Sequence, residues 1–239
     1  MPEVYLASSA LKKENFDLLR TIEEAKNSGF DGVQLFINNQ FSQEEYLKRT
    51  TEELKRSGLG LIVHLPNEVS PSDKNAAEYL VREFPDARVL IHLLPATELP
   101  DIEGTLVGWE NSMVGKFGPE QVGHIDEVKK VVKKDNTFFV FDFGRMLYLE
   151  EEGVGKEEAL KFIRDEISNL DPKKDIIHLS DKKSWVLKFR DSMCVLGDGV
   201  CGELLEDIYN YSGIVVFEHE DLQMALDSLT VVRDRKNAK

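Results

Sequence analysis

Eight short apolar, β-rich runs punctuate this chain, and segments with helical spacing separate most of them. The runs are EVYLA (3–7), DGVQLF (31–36), LGLIVHL (59–65), ARVLIHLL (87–94), GTLVGWEN (104–111), NTFFVFDF (136–143), KDIIHLSD (174–181) and GIVVFEHE (213–220). Between the first two, LKKENFDLLRTIEEAKNSGF sets Phe16, Leu19, Ile22 and Ala25 on one helical stripe, which Gly29 ends. Ser42 opens a second helix, with Glu45 completing a capping box. Further helices are predicted near 72–84, from Pro119 to about Lys134, at 156–169, near 203–211 and at about 221–235. Continuous apolar strands alternating with helices predict a parallel sheet covered on both faces. Eight such units in 239 residues predict a closed (β/α)8 TIM barrel. An open doubly wound sheet is the rival, but the first strand–helix turn has no GxGxxG. Only PATELPDIEG separates the fourth and fifth strands, so the fourth helix is expected to be short or missing. With no linker, repeat or low-complexity block, a single TIM-barrel domain over 1–239 is expected.

The runs share a second property: six in succession end in a polar, chemically able residue. Strand three ends in His64, four in His92, five in Glu110, six in Asp142, seven in His178 and eight in Glu218. An unpaired carboxylate buried at the end of FFVFD costs several kcal/mol. In a barrel, however, the C-terminal strand ends converge on one rim, where catalytic groups are mounted. Carboxylates gathered there repel one another unless a cation neutralises them. The mix of imidazole nitrogen and carboxylate oxygen suits Mn, Zn, Fe or Co better than Ca. Taken singly, Asp142 can cap a turn, Glu110 can pair with Lys116, and each histidine can be a hydrogen-bonded core residue. Recurrence at the same structural point favours a metal site.

Composition narrows the field. No apolar run approaches the roughly 20 residues that span a bilayer, and the N-terminus lacks the pattern of a signal peptide. Cys194 and Cys201 are too few for a disulfide framework, which predicts reduced thiols in a cytoplasmic protein. A formal net charge of −14 repels phosphate backbones and anionic lipid, disfavouring nucleic acid and membrane as partners.

At WEN, FDFG, HLSD, LGDG and VVFEHE, in that order, the sequence resembles the sugar phosphate isomerase/epimerase superfamily. These are xylose isomerase-like TIM barrels, related to the zinc-dependent abasic-site endonucleases. The likeness runs through nearly the whole chain. It implies one divalent ion (Mn, Zn, Co, Fe or Mg) held by Glu110, Asp142, His178 and Glu218, with the two glutamates also serving as acid and base. His64 and His92 stand where the family often has histidines on strands three and four. Two departures matter. Family members commonly read Asp-x-x-His after strand six, whereas this chain has Asp142-Phe-Gly-Arg145. The endonuclease branch uses an Asp-x-His pair after strand seven, where LKFRDSMCVLGDG offers Asp191 but no histidine.

The resemblance implies an isomerase or epimerase that moves a proton beside the carbonyl of a small carbohydrate-like substrate, through an enediolate. Substrate contacts are expected from His64, His92, Arg145, Asp181 and Trp185. Arg145 would grip a phosphate or carboxylate bidentately, or else form an ion pair with a neighbour such as Glu150. Asp181 would orient His178 or Lys182, and Trp185 would cover the substrate on a flap after strand seven. The alternatives are an endonuclease-like metal-dependent phosphodiesterase, favoured by His64 and His92, and a non-catalytic ligand-binding barrel. No periodic feature marks an oligomer interface, so assembly stays open.

Overall fold

The computed structural model describes residues 1–38, 41, 43–93, 100–111, 125–135, 137–142, 144, 155–183 and 193–237. Eight parallel strands close into a barrel: β1 (Glu3–Ala7), β2 (Gly32–Phe36), β3 (Gly60–His64), β4 (Arg88–His92), β5 (Val107–Glu110), β6 (Phe138–Asp142), β7 (Ile176–Leu179) and β8 (Ile214–Phe217). Each strand pairs with its neighbours in sequence, and β8 pairs with β1 to complete the ring. Around it lie α1 (Leu18–Ser28), α2 (Glu44–Ser57), α3 (Pro71–Glu83), α4 (Ile125–Asp135), α5 (Lys156–Asn169), α6 (Leu205–Asn210) and α7 (Leu222–Asn237). The expected α/β barrel is thus the observed one. Between β4 and β5 the described residues, 93 and 100–106, contain no helix. None of the described helices is long and apolar enough to cross a membrane. Cys194 and Cys201 are buried and free.

Strand parity sorts the side chains. Val4, Leu6, Val33, Leu35, Val89, Ile91, Phe139, Phe141, Val215 and Phe217 belong to the apolar layer between sheet and helices. Tyr5, Ala7, Ile62, Leu90, Phe138, Val140, Ile176, Ile214 and Val216 form a separate cluster inside the barrel. Because successive strand residues face opposite sides, every second residue beyond the inward set also points inward. That parity carries Gln34, His64, His92, Glu110, Asp142 and His178 to the interior at the C-terminal rim, with Glu218 two residues past inward Val216. The apolar cluster forms the floor beneath these polar groups.

The floor is tight. A Cβ at Gly32 would lie 2.3 Å from the Tyr5 ring, one at Gly60 2.0 Å from the Tyr5 hydroxyl, and one at Gly108 2.1 Å from the Phe138 ring. Gly108 and Phe138 are register partners on β5 and β6. The two aromatic rings therefore occupy the volume that three side chains would fill elsewhere.

Local signals account for most boundaries and one break. Gly29 sits at the C-cap of α1 with φ 78°, as its position predicts. Ser70 and Asp73 form a reciprocal capping box at the start of α3, with Pro71 in the first turn. The expected helix through Phe16 is interrupted instead. Ser8–Glu14 is a 3₁₀ helix, Asn15 and Phe16 both adopt positive φ (58° and 56°), and α1 starts afresh after Asp17, whose carboxylate accepts from Arg20 N–H. The Asp17 cap competes successfully with continuation of the helix, and Phe16 leaves the helical stripe for the rim of the barrel. The second helix begins at Glu44, with Gln43 at its N-cap and no side-chain cap bond; Ser42 lies outside the described residues. Glu45 is therefore one position too early in the helix to complete a capping box.

Substituting Gly108→Ala should destabilise the protein by about 1–3 kcal/mol, because the added methyl has to displace the Phe138 ring in a packed layer. Combination with Phe138→Leu should recover part of that loss. Urea midpoints check both, and an unchanged midpoint for Gly108→Ala would contradict this packing.

Candidate functional site

Glu110, the last residue of β5, is 0% exposed and lies among three imidazoles from three strands. His64 Nε2 stands 3.2 Å from Glu110 Oε2, His92 Nε2 stands 3.2 Å from Oε1, and His178 Nδ1 stands 3.3 Å from Oε2. The same His178 Nδ1 is 3.2 Å from Glu218 Oε1. Two groups of three donors result: His64, His92 and Glu110, and Glu110, His178 and Glu218. In each, the ligand atoms lie within 4.8 Å of one another. Glu110 belongs to both.

The tautomers are constrained. His64 Nδ1 lies 2.8 Å from Leu65 O, and a carbonyl only accepts, so the proton sits on Nδ1. His92 Nδ1 makes the same kind of bond, 2.8 Å to Asn67 Oδ1. Each ring is thereby anchored through Nδ1 and turns Nε2 toward the carboxylate. A neutral imidazole held this way would aim a lone pair at an anionic oxygen. Protonation or an intervening cation removes that repulsion, and anchoring of the remote ring nitrogen is the usual support for a metal-ligating histidine.

His178 is more exacting still. It is fully buried, and neither ring nitrogen has a hydrogen-bond partner among the described residues. The two carboxylates approach Nδ1 closely without the directionality of a hydrogen bond. Burial opposes charge on this ring, but the adjacent Glu218 and Glu110 outweigh it and hold the imidazole well above its ordinary value. Burial likewise opposes ionisation of Glu110, yet His92 and His178 keep its carboxyl well below the usual range. Glu218 also lies below its ordinary value: burial opposes the shift, and His178 drives it. The donor chemistry, orphaned imidazole nitrogens and concentrated negative charge fit a divalent cation.

Glu218 and Glu110 differ in access. The Glu218 side chain is 23% exposed and Glu110 is sealed. Glu218 lines a cavity of about 180 Å³ with His64, His92, Ser180, Phe16 and Phe36. That is smaller than the roughly 300–1,000 Å³ of drug-sized pockets, so its occupant is small. Phe16 packs on Phe36 with ring centroids 5.9 Å apart, and Phe36 lies 5.3 Å from His64, making one wall aromatic. A larger groove of about 1040 Å³, lined by residues of α1 and α2, holds neither three-donor cluster.

The remaining sequence-predicted residues fall in several places. Asp142 is buried at the end of β6, in register with His178, but its carboxylate is in neither three-donor group. Asp181 is fully buried. One of its oxygens accepts from the backbone N–H groups of Lys182 and Cys201, and the other from those of Gly197 and Gly199. Its carboxylate thus fastens the LGDG loop. Arg145 and Trp185 lie outside the described residues.

Three supporting residues were not among the sequence candidates. Asn111 brackets Asp142: its side-chain oxygen accepts from Asp142 N–H at 2.8 Å, and its Nδ2 donates to Asp142 O at 2.9 Å. Lys182, 1% exposed, donates to Gly144 O at 2.7 Å and ties the end of β7 to the segment after β6. Gln34, in the middle of β2, donates from Nε2 to Glu218 Oε1 at 2.7 Å. The available signals were the Asn of WEN and a lone amide inside the apolar DGVQLF.

Neither a protein-family model nor a curated protein sequence matches the chain. Solved structures do. A xylose isomerase domain protein from Planctomyces limnophilus superposes with TM-score 0.57 at 16% identity, over 100% of this chain and 98% of that one. The D-psicose 3-epimerase of Clostridium cellulolyticum H10, solved with D-tagatose, gives 0.55 at 14% identity, over 99% and 98%. SacUVDE gives 0.56 at 12% identity, over 99% of both chains. The fold is that of the xylose isomerase-like TIM barrels.

A titration tests the His178 pairing in metal-free protein. The folded value lies above the ordinary 6.5, so the stabilisation is complete below pH 6.5 and is lost as pH rises through the raised value. The stability gap between wild type and His178→Gln should therefore shrink as pH rises above 6.5. Divalent-metal binding should strengthen over the same rise, because the ion requires the unprotonated ring. Urea unfolding and calorimetry across pH check both, and a gap that widens with pH would contradict the pairing.

Proposed function

We propose that the protein is a divalent-metal-dependent isomerase or epimerase of a sugar or sugar-derived carbonyl compound. One observation carries this reading: two carboxylates, Glu110 Oε2 and Glu218 Oε1, flank the same buried His178 nitrogen at 3.3 and 3.2 Å, and Glu218 lines a small cavity. Glu110, His178 and Glu218 would hold the ion, with Asp142, beside His178 in the sheet, as the fourth ligand. When bound, the ion supplies Lewis-acid polarisation of a carbonyl oxygen. The carbohydrate class is supported by the D-tagatose bound in the Clostridium epimerase of the same fold.

The chain's own residues divide the work by access. Both glutamates are held below the ordinary carboxyl value and rest ionised, so the first step is abstraction of a proton from carbon. Glu218, facing the cavity, takes that proton. Glu218, now protonated, returns the proton to the neighbouring carbon in an isomerisation. Glu110, on the other side of His178, would anchor the ion and, once it has itself taken up a proton, return one to carbon in an epimerisation. His64 and His92 lie on the wall where substrate oxygens would lodge, and the aromatic side formed by Phe16 and Phe36 excludes water. Arg145 and Trp185 remain proposed substrate contacts.

A second reading, phosphodiester cleavage, is favoured by the other donor triad. His64 and His92 both turn Nε2 toward Glu110, and these three residues would hold a second ion. The formal net charge of −14 opposes a nucleic-acid substrate.

Two measurements decide. Glu218→Gln should lower turnover of a ketose panel by about 10²–10⁴-fold while the protein stays folded. Full activity in that variant would overturn the assignment. Metal analysis of protein purified without chelator should give one ion per chain, whereas two or three zinc ions would favour the second reading.

A further inference from the structure

We infer that Gln34 is a specificity-determining residue, whose side-chain oxygen accepts a hydrogen bond from a substrate hydroxyl next to the carbon served by Glu218. The inference rests on the carbohydrate reading above and extends it to a particular contact. Gln34 lies in the middle of β2 with inward parity, is 3% exposed and lines the cavity. Its orientation is fixed by chemistry. An ionised carboxylate only accepts, so the amide nitrogen must be the end that faces Glu218 Oε1 at 2.7 Å. The amide oxygen is left buried and has no hydrogen-bond partner among the described residues.

An amide kept only for structure would satisfy both ends, as buried polar groups in native proteins nearly always do. Here one end is satisfied by the proposed base and the other has no partner among the described residues. A buried acceptor without a partner among the described residues, on a side chain that lines the cavity, calls for a donor brought by the ligand, and a hydroxyl is the donor that a sugar offers. A site built to hydrogen-bond a hydroxyl also rejects the analogue lacking it strongly, since the buried acceptor is then left unpaired. Gln34 would therefore couple two functions. It fixes the Glu218 carboxylate and admits only compounds hydroxylated at the neighbouring carbon.

The test is calorimetric binding of D-tagatose and its single-deoxy analogues to Mn²⁺-loaded protein. Wild type should lose at least tenfold in affinity on removal of one particular hydroxyl. Gln34→Met should bind the parent sugar at least tenfold more weakly, and should bind the parent and that deoxy analogue equally. Mn²⁺ is kept saturating for each variant, and the melting temperature should stay close to wild type. In Gln34→Glu, which keeps an acceptor of the same length, discrimination should survive. Undiminished discrimination in Gln34→Met overturns the inference and leaves the metal-dependent reading intact. If Gln34→Met does not fold, equal binding of the parent and that deoxy analogue by Gln34→Glu overturns it as well. Wild-type protein that binds Mn²⁺ at this cluster but no ketohexose overturns the carbohydrate reading, and the inference falls with it.

Discussion

A single sealed carboxylate sets the terms for the top of this barrel. Glu110 is 0% exposed, and an isolated charge in such a place would cost many kcal/mol. Three imidazoles from β3, β4 and β7 meet it instead, and His178 links it to Glu218. Their mutual attraction offsets desolvation only with good geometry and satisfied hydrogen bonds. At His178 those bonds are missing among the described residues, which leave the centre of the cluster incompletely satisfied. A cation of the right size would resolve the conflict. This local frustration is concentrated where the proposed chemistry occurs.

The barrel separates the demands of stability from those of reactivity. Its floor is apolar, with Tyr5 and Phe138 seated over glycines that leave no room for a β-carbon. The period of two along each strand then lifts the next inward layer to the rim, where nearly every position is polar. Fixed strand registers make the donor positions rigid, since moving any one of them by a residue would turn it outward. Around this layer, buried polar groups hold the loops: Asp181 gathers four backbone N–H groups, and Asn111 clasps the backbone of Asp142. These contacts keep the site in shape without entering the cavity.

Much of this was legible in the sequence because strand hydrophobicity and terminal polarity are local signals. All eight apolar runs contain the observed strands, and α5 occupies the expected 156–169. The six strand-end residues were identifiable from position alone, and His64, His92, Glu110, His178 and Glu218 do converge. What escaped was decided by tertiary context or by competing local bonds. The break at Asn15 and Phe16 arises from backbone conformations that no apolar stripe reports, and it places an aromatic ring on the cavity wall. Gln34 lies within a strand rather than at its end, so strand-end polarity does not mark it, although an amide in an apolar run is itself unusual. The part played by Asp181 depends on a loop folding back from residues 197–201, which spacing along the chain does not reveal.

The most direct test is anomalous diffraction from crystals grown with Mn²⁺ or Zn²⁺ and measured on both sides of the metal absorption edge. The account predicts an anomalous peak at about 2.0–2.2 Å from donor atoms of Glu110, His178 and Glu218. A peak elsewhere, or none at those side chains in crystals that hold the metal, would contradict it.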